Sequence, residues 1–139
     1  MASLEFKITL KYYVQIINFY KQFIEGLRTT LPEEYGLLVQ PENIHQPVVL
    51  HIVGTTLEIT IRPIQKDQLY GLIEFKTIED SKVVFALYID RYGKFGSDVT
   101  EGGKVELFTS VSYNPDYQFY VIRPFFESFF SYYGITITD

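Results

Sequence analysis

The imidazole and thiol groups that bind many metals and act in catalysis are scarce in this chain. It contains two histidines, His45 and His51, and no cysteine, which excludes disulfides, thiolate metal sites and a cysteine nucleophile. On a strand His51 would point away from Leu50 and Ile52, and no further ligand follows at helical or strand spacing. A solvent-facing or hydrogen-bonded imidazole is therefore the favoured interpretation, and we predict neither a metal nor a cofactor.

One group of acidic and basic residues could support metal-dependent phosphodiester cleavage. Glu74 and Lys76 stand two residues apart in "IEFK", with Asp67 upstream. In nucleases of the PD-(D/E)xK type, two such carboxylates hold Mg²⁺ and the lysine steadies the attacking water. Here the interval between Asp67 and Glu74 is short, and Glu-x-Lys is a common alternation on a solvent-facing strand. The pattern therefore favours a solvated strand face over a nuclease.

The elements that would position these residues begin with a change of period near the N-terminus. "LEFKITL" (4–10) alternates apolar and polar residues, which is typical of a half-buried strand. From residue 16 the apolar spacing becomes i, i+4, i+7, i+8, i+11 and i+15, which predicts a helix. That face carries Ile16, Tyr20, Phe23, Ile24, Leu27 and Leu31. Pro32 should end the helix, and a short extended piece, "YGLLV", should follow.

The central part of the chain reads as a succession of strands. The candidate strands are "PVVLHIVG" (47–54), "TTLEITIRP" ending at Pro63, "LYGLIEFKTI" (69–78), "VVFALYI" (83–89) and "KVELFTSVS" (104–112). The turns "QKDQ" and "EDSK" separate three of them. The four glycines between Asp90 and Gly103 predict a long exposed loop. A helix followed by such strands predicts an α+β domain over 1–139, with a mostly antiparallel or mixed sheet of about six strands.

The C-terminal segment is the most aromatic part of the chain. "NPDYQFYVIRPFFESFFSYYG" opens with Asn114 and Pro115, a plausible helix start. Pro124 predicts either a kinked helix or a strand followed by a helix from Pro124 to Tyr133, with Gly134 as its C-terminal cap and "ITITD" as a closing strand. We expect these aromatic residues to lie in the hydrophobic core. Any that are exposed would mark a surface for a protein partner or a homodimer. The candidate partner-binding residues are Phe125, Phe126, Phe129, Phe130 and Tyr132.

Composition narrows the possible partners. The formal net charge is -5 and 47% of the residues are hydrophobic, which suits a globular acidic domain better than a nucleic-acid binder with a basic face. No apolar run approaches the roughly 20 residues of a membrane span, and the N-terminus lacks the pattern of a signal peptide. We therefore expect a cytoplasmic protein without membrane contact.

The predicted first helix has a distinctive order of residues: it reads aromatic-x-x-Phe-Ile-x-x-Leu-Arg-x-x-Leu from Tyr20 to Leu31. In this it resembles the first helix of the ribosome-inactivating proteins, the rRNA N-glycosidases. "YGLLVQP", "VVLHIVG-TTLEITIRP" and "DQLYGLIEF" are similar to the extended pieces that follow it there. The resemblance covers about residues 4 to 88 and implies the N-terminal part of that fold, with rRNA on the ribosome as a possible partner.

The resemblance implies only part of the family's catalytic site. These enzymes hold the target adenine between two tyrosines and cleave its glycosidic bond with a Glu and an Arg from a later helix. The nearest tyrosines here are Tyr88 and Tyr92, while Val83 to Phe85 and Val99 stand where the family has the two tyrosines. The Glu-x-x-Arg helix has no counterpart, because Arg123 precedes Glu127 by four residues.

We therefore expect a related domain that binds without hydrolysis. The alternative is a small acidic protein-binding module of the secretion-chaperone, immunity-protein or inhibitor type, unrelated to that family.

Overall fold

The computed structural model of the protein describes residues 5–41, 43, 46–52, 54–99, 105–112 and 116–138. In chain order its elements are α1 (Phe6–Thr30), β1 (Gly36–Val39), β2 (Val48–Ile52), β3 (Thr55–Gln65), β4 (Leu69–Thr77), β5 (Val83–Ile89), β6 (Lys94–Gly96), β7 (Asp98–Val99), β8 (Val105–Glu106), β9 (Thr109–Ser110), a π-helical segment (Gln118–Ile122) and α2 (Arg123–Tyr132). The predicted α+β class is confirmed. None of the described helices is both long and apolar enough to cross a membrane.

The main sheet has seven strands in the order β1-β2-β3-β4-β5-β6-β9, and β7 pairs with β8 separately. It therefore has one strand more than predicted, and every described pairing is antiparallel. The four central strands form a meander in which β3 and β4 pair from Leu57↔Thr77 to Gln65↔Leu69. This meander is the arrangement that the alternating pattern and the short polar turns predict.

Both helices pack on one face of this sheet. A Cβ placed on Gly71 of β4 would lie 2.8 Å from Ile16 of α1, and the Phe125 ring of α2 lies 5.1 Å from that of Phe75, also on β4. Gly71 and Phe75 are four residues apart on one strand, so they point to the same face. The helix face predicted from Ile16 onward is confirmed, because Ile16, Phe23, Ile24 and Leu27 are all buried.

The strand predicted for residues 4–10 is wrong. Its described residues from Phe6 onward form the first turns of α1. Phe6, Ile8 and Leu10 are all exposed, so their alternation reflects no buried sheet face. No proline or glycine separates them from the amphipathic part of the helix, so the helix extends toward the N-terminus by adding one hydrogen bond per residue.

The exposed loop predicted for Asp90–Gly103 is also wrong over its described part, which contains β6 and β7. Asp90 and Phe95 are buried, and the Asp90 carboxylate accepts hydrogen bonds from the backbone N–H groups of Tyr92 and Lys94 at 2.9 Å. Gly96 is required by close packing, because a Cβ there would lie 2.1 Å from the Glu106 carbonyl oxygen. Of the single strand predicted over 104–112, the described part forms two strands, β8 and β9.

Pro63 does not end β3, which continues to Gln65. Strand β2 pairs with β3 only as far as Val48↔Ile59, so no described residue pairs with β3 beyond that point on this side. A proline lacks the N–H that a central strand position needs, but it is tolerated where that side of the strand has no neighbour.

The ambiguous C-terminal segment is helical. The π-helical segment runs directly into α2, with the Arg123 N–H bonded to the Gln118 carbonyl, and the wider turn accommodates Pro124. Gly134 follows the helix at a φ of 77°, as a C-terminal cap should. The closing strand predicted at 135–139 is wrong, because residues 135–138 belong to no strand. The predicted start at Asn114 and Pro115 lies outside the described residues.

Candidate functional site

The aromatic residues of α2 divide between the core and the surface. Phe125 and Phe129 are buried and their rings stack at 6.0 Å. Phe126 and Phe130 each stand one residue further along, so they lie about 100° around the helix and are only partly buried. Since residues four apart share a helix face, Phe126 and Phe130 form a partly exposed aromatic pair, with ring centroids 6.4 Å apart.

This pair borders an apolar groove of about 530 Å³ between α2 and the turn before β1. The groove is lined by Glu34, Tyr35, Ile52, Phe126, Phe129 and Phe130. The Tyr35 ring meets the Phe126 ring edge-on at 5.9 Å. The volume falls within the range of pockets that hold small ligands. Among the described residues that line the groove, Glu34 alone is charged.

Gly36 brings together Tyr35 and Ile52, which form the wall of the groove opposite α2. A Cβ at this position would lie 2.8 Å from the Ile52 side chain and 2.9 Å from the His51 carbonyl oxygen. Only glycine therefore lets the chain approach β2 so closely, and this approach sets Tyr35 beside Ile52. No recognisable motif marks Glu34, Tyr35 or Ile52 in the sequence, so none of the three was predicted as a site residue.

Tyr132, the fifth candidate partner residue, has a structural contact away from the groove. Its hydroxyl donates a 2.5 Å hydrogen bond to Asp80 Oδ2, and the Thr77 hydroxyl donates to the same carboxylate. The hydrogen bond from Thr77, followed by that from Tyr132, holds the pKa of Asp80 below its ordinary value. Conversely, the bond to Asp80 raises the pKa of Tyr132. Tyr132 thus ties the last turn of α2 to the β4–β5 turn.

Tyr88, the first candidate catalytic tyrosine, packs against another tyrosine. It alternates with the buried Leu87 and Ile89 on β5, so it lies on the face opposite the helices. Its ring meets that of Tyr70 edge-on at 6.0 Å. The Tyr70 hydroxyl donates to Asp67 at 2.7 Å, and burial, with this bond as a smaller contribution, raises the pKa of Tyr70 to about 12.

Tyr92, the second candidate catalytic tyrosine, lies in the β5–β6 turn, where its ring contacts the guanidinium group of Arg91. The Arg91 guanidinium carbon lies 3.8 Å from the centre of the Tyr12 ring and 4.6 Å from that of Tyr92. Arg91 therefore occupies one face of Tyr92 through a cation–π contact. The described ring contacts give Tyr88 and Tyr92 different neighbours and do not form an adenine sandwich between them.

The remaining candidates have ordinary structural contacts. Glu74 is buried, and its Oε1 accepts a 2.9 Å hydrogen bond from Arg62 and lies 3.9 Å from the Lys76 ammonium. Two cations thus compensate the charge of this carboxylate. It lies four residues along β4 from Tyr70, the residue that contacts Asp67. Within the described part of the chain no three acidic or histidine side chains are grouped to hold a metal.

The other two groups also lack a catalytic arrangement. His51 Nδ1 lies 3.2 Å from the Thr56 hydroxyl, while His45 falls outside the described residues. Arg123 Nε donates to Glu127 Oε1 at 2.8 Å on the exposed side of α2. This is an ordinary i, i+4 helix pair. Neither contact by itself suggests bond cleavage.

The apolar groove is therefore the candidate site, because three of the five predicted partner-binding residues line it: Phe126, Phe129 and Phe130. Comparison with known proteins adds no relative to this description, because no family model, curated protein or solved structure matches the chain.

Proposed function

We propose that this domain acts by binding, and that its groove takes an apolar, preferably aromatic, side chain from a protein partner. The observation that carries the proposal is a concave site walled by Tyr35, Phe126 and Phe130, at which aromatic rings remain partly exposed to solvent. Exposed aromatic clusters of this kind are typical of the anchor points of protein interfaces.

Charge narrows the partner further. Glu34 is exposed and contributes a carboxylate to the rim of the groove, and the chain has a formal net charge of -5. A partner with a lysine or arginine next to its aromatic residue would gain favourable electrostatic attraction during approach. We therefore propose a basic-aromatic sequence as the preferred target.

This proposal agrees with both interpretations of the sequence. Under the ribosome-inactivating resemblance, the domain is a relative that binds without cleaving. Under the alternative, it is a dedicated protein-binding module. The groove supports binding in either case, whereas kinship with that family stays a prediction from the residues.

A peptide titration followed by NMR tests the groove. We expect the dipeptide amide acetyl-Arg-Trp-NH₂ to shift the ring signals of Tyr35, Phe126 and Phe130, and acetyl-Glu-Trp-NH₂ to do so more weakly. Phe126→Ser and Phe130→Ser should each abolish these shifts. Phe119→Ser is the matched control, because Phe119 is 70% exposed and lies outside the groove.

Three outcomes would contradict the proposal. The first is the absence of ring shifts at millimolar peptide. The second is an equal loss of binding in the Phe119→Ser control. The third is a set of shifts that maps to another surface of the domain.

A further inference from the structure

The described sheet leaves four stretches of strand edge without a paired strand. Strand β1 forms one end of the sheet and β9 the other. The third stretch is residues 60–65 of β3, which extends beyond the end of β2. The fourth is residues 83–87 of β5, which extends beyond β6 and has α2 alongside it. An uncovered edge exposes unpaired N–H and C=O groups and can pair with a strand from another molecule.

Two of these edges carry features that discourage such pairing. The β3 stretch contains Pro63, which has no N–H to donate, and Arg62, whose side chain is more than half exposed. Lys66 follows directly in the turn. Proline and exposed cations are common protections of sheet edges. At the far end of the sheet, β9 has only two residues and offers little to pair with.

The β1 edge has none of these protections. Its sequence, Gly-Leu-Leu-Val, contains no charge and no proline. Leu37 is 59% exposed and Val39 is 43% exposed, while Leu38 between them is buried in the core. This edge therefore combines free backbone groups with two apolar side chains on the face opposite the core.

The hydrogen bonds show which backbone groups of β1 point away from β2, toward the free edge of the sheet. The Gly36 N–H donates to the Pro32 carbonyl at 3.3 Å and is therefore directed away from β2. Because backbone direction alternates along a strand, Leu38 also points its N–H and C=O to the free edge. The backbone N–H and C=O groups of Leu37 and Val39 instead point toward β2, where these residues pair with His51 and Val49.

We infer that the occupant of this edge is a second copy of the chain, joined through antiparallel β1–β1 pairing with a two-fold axis at Leu38. In this register the two Leu38 residues exchange N–H···O bonds. Leu37 of each copy then lies opposite Val39 of the other copy. Such self-complementary pairing is what a two-fold dimer requires.

Side-chain chemistry favours this occupant. Every cross-strand pair within the two β1 strands is apolar, so no like charges meet and Leu37 and Val39 lose water contact together. The same operation on the β3 stretch would bring two Arg62 side chains together. Because four residues per chain bury far less than the roughly 1,600 Å² of a standard interface, we expect weak association that depends on protein concentration.

Disulfide trapping tests the register, and the absence of native cysteine makes the result unambiguous. The register places Leu37 opposite Val39 of the second copy in a non-hydrogen-bonded pair, with Cα atoms about 4.5 Å apart, which suits a disulfide. Two Leu37 residues would be about 8 Å apart, beyond disulfide reach. A mixture of Leu37→Cys and Val39→Cys chains should therefore form the mixed disulfide, and each variant alone should form little.

Sedimentation of the wild-type chain tests the dimer itself. We expect the mass to rise with concentration toward twice the 16.3 kDa of one chain, and Leu37→Lys to keep it monomeric. Leu10→Lys is the control, because Leu10 is also half exposed but lies on α1. A monomer at all concentrations, a dimer unaffected by Leu37→Lys, or disulfides mainly within one variant would overturn the inference.

Discussion

Replacing Gly26 with alanine tests how Tyr117, the residue just before the π-helical segment, packs against α1. Gly26 is buried within α1, and a Cβ there would lie 2.6 Å from Cζ, 2.7 Å from the hydroxyl oxygen and 2.8 Å from Cε2 of Tyr117. Tyr117 is fully buried, and its ring packs against those of Phe23 at 5.7 Å and Phe95 at 5.5 Å. Its hydroxyl donates to the Val111 carbonyl at 2.8 Å. The ring is held on several sides and has little freedom to withdraw.

Two opposing effects set the size of the change. Alanine is favoured over glycine in a helix interior by about 1 kcal/mol. Overpacking a well-filled core costs roughly 1–3 kcal/mol and occasionally more. Since three Tyr117 atoms would be closer than 3 Å, the upper part of that range applies. We expect Gly26→Ala to lower the free energy of unfolding by about 1–2 kcal/mol.

A double-mutant cycle measured by urea denaturation separates the two effects. Leucine at position 117 lacks the Cε, Cζ and hydroxyl atoms that meet the new methyl group. In the Tyr117→Leu background, Gly26→Ala should therefore stabilise the protein by up to about 1 kcal/mol, because only the helix preference remains. Stabilisation of the wild type by Gly26→Ala, or an effect of the same sign and size in both backgrounds, would refute the proposed clash with Tyr117.

Two further predictions concern acid stability and catalysis. Because the folded state holds the pKa of Asp80 below its ordinary value, this carboxylate stabilises the fold above its unfolded pKa of about 3.9. That contribution is lost as pH falls through the lower folded value. Asp80→Asn should therefore lower the urea midpoint near neutral pH and leave it unchanged at the acid extreme; an equal drop at both would contradict this role. For catalysis, we expect ribosomes incubated with the domain to release no adenine, because no Glu-x-x-Arg pair follows the first helix in the sequence. Adenine release that is lost on Tyr88→Ala or Tyr92→Ala would instead establish an N-glycosidase.

The four central strands could be predicted because their signal is local. In β3, Leu57 and Ile59 are buried, as the alternation of the sequence indicates. Glycine and polar turns separate the strands at the positions where the chain reverses. A meander needs only neighbouring strands to pair, so its order follows from the order of the strands in the sequence.

The predictions failed where burial depends on distant parts of the chain. Phe6, Ile8 and Leu10 alternate like a strand, but their side chains are exposed and α1 continues through them. The stretch after Asp90 reads as a loop because of its glycines. At least one of them serves close packing, since Gly96 lies against the backbone of Glu106. Glycine content indicates either a turn or a close backbone approach, and the residues alone did not separate the two.

One wall of the groove could be predicted from the sequence and the other could not. Phe126 and Phe130 could be singled out because an aromatic helix has more apolar surface than one core can cover. Their opposite wall comes from Tyr35 and Ile52, which are separated from them by most of the chain and are joined by the close approach at Gly36. A single exposed aromatic residue before a short strand carries no signal of its own. Its role follows only once β1 folds onto β2 and α2 closes over the same face, so this binding site is a property of the tertiary structure.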